Sequence, residues 1–127
     1  MVPFTEDEFE AAVGDALDLL PDELLAAMDN VVVLVQDEPE AEMLGPTDVD
    51  ERGLPTLLGL YDGVPITERD TAWSLTLPDR ILVFRGPLTR WCGNREELVE
   101  EIAVTVIHEV AHHFGIDDRR LAELGWD

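Results

Sequence analysis

All three histidines of this 127-residue chain fall within six positions, as His108, His112 and His113, and Glu109 stands between the first two. His108 and His112 are spaced four apart in the pattern H-E-x-x-H. On a helix such a pair projects from one face with Cβ atoms roughly 5–6 Å apart. Two neutral imidazoles at that separation can close on one zinc ion, with Zn–N bonds of about 2.0–2.1 Å. Glu109 sits about 100° further round the helix, ill placed as a ligand but able to hydrogen-bond a water on the metal. The chemistry implied is hydrolysis. The metal lowers the pKa of its water towards about 7, and the carboxylate takes the proton as the water attacks.

That chemistry requires a helix, and the preceding residues predict one. Asn94 is a good N-cap, Glu97 occupies the N3 position of a capping box, and Glu96 is favourable in the first turn. Val99, Ala103, Val106, Val110 and Phe114 then recur at helical spacing as an apolar stripe. His108 and His112 fall nearly opposite that stripe, beside Glu101, Thr105 and Glu109. Histidines serving only as core residues would lie on the stripe, and the phase argues against it. Gly115 ends the helix, because glycine takes a left-handed conformation without steric cost.

A residue beyond that turn can swing back as a third ligand, and zinc accepts Asp oxygen at about 2.0–2.2 Å. Asp118 completes H-E-x-x-H-x-x-G-x-x-D, where an extended zinc-peptidase motif has His at the last position. Spacing favours Asp118; Asp117 is the competitor, since a one-residue change in loop path exchanges them. His113, at the edge of the stripe, reads as a packed or hydrogen-bonded histidine rather than a ligand.

With these residues the chain resembles the small bacterial zincin-like metallopeptidase family, the minimal zincins. Two further blocks carry the resemblance: Leu58-Gly59-Leu60-Tyr61-Asp62-Gly63-Val64-Pro65 with Arg69 following, and Leu77-Pro78-Asp79-Arg80-Ile81. The resemblance implies a reduced zincin fold, one zinc held by His108, His112 and Asp118, Glu109 as the catalytic base, and a cytosolic location. It implies no particular substrate. Two features depart from larger zincins. The Met-turn that follows the zinc motif in metzincins has no counterpart, the methionines being Met1, Met28 and Met43. Nine residues follow Asp118, too few for the lower subdomain that usually forms one wall of the cleft. Substrate contacts must then come from the N-terminal residues or a partner chain, or be missing.

Charge narrows the partners. The net charge is −21, from 29 acidic side chains against 8 arginines and no lysine, and residues 1–53 hold 16 of the acids with Arg52 as the lone cation. Affinity for nucleic acid rests on cationic contacts to phosphate, so DNA, RNA and anionic membranes are disfavoured. The acidity can attract a basic peptide or protein substrate; its plainer role is solubility. Arg80, Arg85, Arg90 and Arg95 recur every five residues, fit no single helical face, and read as local charge balance. The lone Cys92 fits a reducing compartment and reads as a free thiol. No run approaches the roughly 20 apolar residues of a membrane span, and the first residues do not resemble a signal peptide.

The elements predict a single α+β domain over residues 1–127. Thr5 and Glu8 form a capping box, with Phe4 and Phe9 as a hydrophobic staple, and Phe9, Val13, Ala16, Leu17 and Leu20 give an amphipathic helix ending before Pro21. Residues 22–28 can add a helical turn. Val31–Gln36, Thr56–Tyr61 and Ile81–Phe84 read as strands, residues 37–53 as an acidic loop, residues 64–80 as loop or a further strand, and Arg119–Leu124 as a last helical turn. Together they predict a small twisted sheet of three to four strands, with the first helix and the zinc helix on one face. Ile81–Phe84 is the expected edge beside the metal, where an extended substrate could add. Tyr61 is a candidate hydrogen-bond donor to an oxyanion or a strand aromatic packed on the core.

Three function classes follow: a zinc-dependent peptidase or amidase, a non-catalytic zinc-binding module acting through protein–protein interaction, and a metal-dependent ribonuclease. Glu109 favours the first over the second, since a structural zinc site closes with a fourth protein ligand and needs no base. The −21 charge places the ribonuclease last.

Overall fold

The N-terminal helix is set by the local signals the sequence displays. Helix α1 (Glu6–Leu17) starts at Thr5, whose hydroxyl accepts from the Glu8 N–H at 3.1 Å while the Glu8 carboxylate accepts from the Thr5 N–H at 3.0 Å. Phe9 is fully buried and Phe4 packs against the same core, which completes the staple. Helix α2 (Asp22–Ala27) follows Pro21. The computed structural model describes residues 4–63 and 78–126. Val64, Pro65, Arg69, Leu77 and the stretch between them lie outside these residues.

Three strands, β1 (Val31–Gln36), β2 (Gly59–Asp62) and β3 (Asp79–Phe84), form a mixed sheet in the order β1-β3-β2. β1 runs parallel to β3 and β2 antiparallel to it. The expectation that Ile81–Phe84 forms the sheet edge is therefore corrected: this strand is central, and among the described residues β2 is the outer strand beside the histidine helix. The reason is visible in its burial. Ile81, Leu82, Val83 and Phe84 are all buried, at 0–5% exposure, and a strand apolar on both faces belongs inside a sheet. The strand expected at Thr56–Tyr61 shifts to Gly59–Asp62, because Thr56 instead donates its N–H to the Asp48 carbonyl at 2.9 Å and Pro55 bridges to Val49. The acidic loop contains one 3-10 turn, Ala41–Met43.

β3 runs directly into helix α3 (Arg85–Trp91), which the sequence pattern does not announce. It lacks a side-chain N-cap and carries Gly86 and Pro87 in its first turn. Proline is tolerated there because the N–H it lacks would be unpaired anyway. The long helix α4 (Arg95–Phe114) and the short α5 (Asp118–Glu123) follow. α4 buries Leu98, Ile102, Ala103, Val106, Ile107, Val110 and Ala111, a face broader than the expected stripe, whose ends differ: Val99 is half-buried and Phe114 is 45% exposed. This face packs on Phe9, Ala12, Val13 and Ala16 of α1 and on Ile81 and Val83 of β3. Each large side chain so buried contributes about 1.5–3 kcal/mol, so the core alone holds α4 in place.

The spaced arginines balance local charge. Arg80 pairs with Asp62, Arg85 with Asp37 at 2.8 Å, and Arg95 with Asp15 at 2.6 Å. Arg90 grips both oxygens of Glu38 at 2.9 Å and donates to the Pro55 carbonyl at 2.7 Å, tying the acidic loop to α3. Among the described residues, no helix is long and apolar enough to cross a membrane.

Candidate functional site

The helix that carries the histidines is fixed at both ends. At its start, Asn94 Oδ1 accepts from the Glu97 N–H at 2.8 Å. The Glu97 carboxylate reaches back to the Gly93 N–H at 2.9 Å, one residue beyond the partner a strict capping box would use. At its end, Gly115 lies at φ 72°, ψ 24°, and its N–H and that of Ile116 both turn onto the Ala111 carbonyl. A side chain at 115 would be forced into a left-handed conformation that costs roughly 1–2 kcal/mol.

Between those ends, α4 presents two neighbouring rows at four-residue spacing. His108, half-buried, and His112, exposed, form one. Thr105, Glu109 and His113 form the other, and this row lies along β2. Thr105 comes so close that a Cβ on Gly59 would sit 2.5 Å from its methyl carbon. Glu109 Oε1 accepts the backbone N–H of Tyr61 at 2.9 Å. The His113 ring stacks on the Tyr61 ring at 3.8 Å between centroids, with 11° between planes. Phe114 meets both rings edge-on. His113 is thus the packed histidine that its position on the wheel suggests. Tyr61 is a strand aromatic packed against the core, one of its two expected readings, and its hydroxyl donates to Asp79 Oδ2 at 2.7 Å.

The two aspartates beyond the turn part company. Asp117 is the N-cap of α5, its carboxylate accepting the Arg120 N–H at 2.8 Å, while Asp118 is the first residue of that helix and is exposed. Among the described residues no three His, Cys, Asp or Glu side chains converge as a metal-holding group. His108 and His112 share a face, and Asp118 is not drawn in beside them. The donors nonetheless match zinc in kind, as two imidazoles on adjacent turns of α4 and, beyond Gly115, the Asp118 carboxylate, which capping does not engage. Further up the same helix, burial and then the charge of Glu100 push the Glu101 carboxyl upward, with His108 acting against them. Cys92 takes no part in this region. It is a buried free thiol in the core, and burial, followed by the charges of Glu101 and Glu97, pushes it up to about 11.

Sequence reasoning names His108, Glu109 and His112 but misses what holds them against the sheet. The Tyr61 amide has no sequence signature, since almost every residue carries one. Gly59 does offer a signal, because a glycine inside a strand often marks close backbone approach.

Residues 28–126 match the sequence profile of a family described as zincin-like metallopeptidase. No curated protein matches the chain. Among solved structures, a conserved hypothetical protein from Thermo thermophilus is similar in fold, with a TM-score of 0.56 at 22% identity, covering 97% of this chain and 100% of its own.

Proposed function

The chain belongs to the zincin-like metallopeptidase family, and we propose that it is a zinc-dependent peptidase that hydrolyses peptide bonds. The observation that carries this reading is the seat of Glu109. Its carboxylate is half-buried and held at 2.9 Å by the Tyr61 amide, on the helix turn it shares with His108. A general base must be within hydrogen-bond reach of the proton it takes, and a carboxylate held at one oxygen is aimed in advance. In this reading His108 and His112 hold the zinc with Asp118, and zinc bound there would polarise the water and the scissile carbonyl. Glu109 takes the proton of the attacking water and delivers it to the leaving nitrogen as the C–N bond breaks. The acidic surface favours basic peptides as substrates. The single free cysteine fits the cytosol as the compartment.

A second reading is favoured by one observation. Tyr61 spends both its amide and its hydroxyl on bonds to Glu109 and Asp79, which leaves it no evident group for an oxyanion. That would suit a zinc-binding module acting through protein–protein interaction. Incubating zinc-loaded protein with a diverse peptide library, and reading products by mass spectrometry, separates the two. Cleavage that disappears in Glu109→Gln at matched zinc content supports the peptidase. No cleavage across the library supports the module.

A further inference from the structure

Strand pairing makes the Tyr61–Glu109 bond unusual. The Phe84 N–H donates to the Leu58 carbonyl at 2.9 Å in the antiparallel ladder. Hydrogen-bonded and non-hydrogen-bonded pairs alternate along such a ladder. Leu60 and Asp62 therefore turn their backbone groups toward β3, whereas Gly59 and Tyr61 turn theirs away from it. An outward amide on an edge strand normally faces solvent or an added strand. The Tyr61 amide instead meets a side chain from α4.

The ring of the same residue is clamped as well. His113 lies flat against it at 3.8 Å, and its hydroxyl is tied to Asp79 Oδ2, which is itself 3.8 Å from His113 Nε2. Tyr61 is thus held through its ring by α4 and by the first residue of β3, while its amide holds Glu109. The second oxygen of Glu109 has no partner among the described residues.

We propose that Tyr61 is a positioning residue for Glu109, with His113 as the clamp that makes it one. The stacked ring fixes the register and tilt of β2 at position 61, and the amide then fixes one oxygen of the carboxylate, leaving the other directed to the neighbouring His108–His112 row. A glutamate has three side-chain torsions to order, and pre-ordering them is a recognised source of rate, since a 1 Å misplacement can cost about 10²-fold. This inference rests on the peptidase reading for its purpose, but not for its geometry.

The test is made first on metal-free protein by NMR. The Tyr61 amide should exchange with solvent at least about tenfold more slowly than that of Gly59, which points the same way, because only a bonded amide is protected. Glu109→Ala should abolish that protection, and Glu109→Gln should keep it, since its side-chain oxygen still accepts. His113→Ala should lower protection at Tyr61 alone, leave the paired amides of Leu60 and Asp62 unchanged, and let the Glu109 side-chain couplings average over rotamers. His113→Phe keeps a stacking face and should restore both. A general loss of structure would instead raise exchange along all of β2. On a cleaved peptide, at matched zinc content, His113→Ala should lower kcat about ten- to a hundredfold with KM unchanged. Equal exchange at Tyr61 in wild type and Glu109→Ala overturns the inference, and so does a single Glu109 rotamer that survives His113→Ala. If wild type cleaves no peptide, the peptidase reading fails separately, and the exchange and coupling data still decide this inference.

Discussion

The backbone amide of Tyr61 and the carboxylate of Glu109 are bonded at 2.9 Å across 48 positions of sequence, joining β2 to the helix that carries the histidines. The site is consequently a joint between two elements, and its parts can be tested one at a time.

Purified protein should carry about one zinc per chain, lost on chelation, and His108→Ala and His112→Ala should each abolish stoichiometric binding. Elemental analysis checks this. Apo protein should remain folded with a lower Tm, since the core of α1, α4 and β3 contains none of the proposed ligands. Finding no stoichiometric metal after zinc is added at neutral pH would remove the basis for hydrolysis.

Asp117 and Asp118 should separate cleanly. Asp117→Ala deletes the cap of α5 and should cost about 0.5–2 kcal/mol of stability, leaving zinc affinity within a few-fold. Asp118→Ala should do the reverse. It should weaken zinc by at least about a hundredfold, since even partners outside the ligand shell are worth about 10–100-fold. Competition titration beside thermal melts distinguishes the two, and the opposite pattern would move the ligand to Asp117.

Glu109→Gln keeps the acceptor for Tyr61 but cannot take a proton. Zinc content should be unchanged while peptide hydrolysis falls about 10²–10⁴-fold, the usual scale for a positioned base. Equal rates in mutant and wild type would assign the activity to another mechanism or a contaminant.

Gly59→Ala should destabilise by about 1–3 kcal/mol, because the added carbon would lie 2.5 Å from the Thr105 methyl and 3.0 Å from the Leu82 carbonyl. Thr105→Ser removes the methyl and should recover part of the loss in a double-mutant cycle. Additive effects would mean that β2 does not press on α4 at this point.

Alkaline pH should weaken the fold through Cys92. Its thiol is raised from 9.0 to about 11 in the folded chain, so the unfolded chain loses its proton first as pH rises. The folded state binds more protons over that interval, and stability must fall across it. Denaturant melts between pH 9 and 11 should show the decline in wild type and a smaller one in Cys92→Ala.

What the sequence made legible was whatever is local. Asn94 and Gly115 bracket the histidine helix as their side-chain and backbone chemistry requires, and Val31–Gln36 is a strand to the residue. Thr5 and Glu8 make both bonds of their box. The illegible part is pairing at a distance. Nothing in Val31–Gln36 or Asp79–Phe84 taken alone says that they run parallel, which is what makes the second strand central. Helix α3 escaped because Arg85-Gly86-Pro87 looks like a turn, and only its contact with the core overrides that preference. The Tyr61 amide escaped because a backbone donor leaves no trace in residue type.

The outer rim of β1 has a consequence for handling the protein. Val31–Gln36 contains no charged residue, leaves Val32 39% and Leu34 43% exposed, and among the described residues is paired on its β3 side only. Such a rim invites a second molecule to add alongside. Mutual repulsion at a net charge of −21 opposes such addition at neutral pH. Near the isoelectric point of about 4.1 that repulsion vanishes, and high salt screens it. Colloidal stability should therefore be lost on acidification before the fold is, with β1 as the point of adhesion.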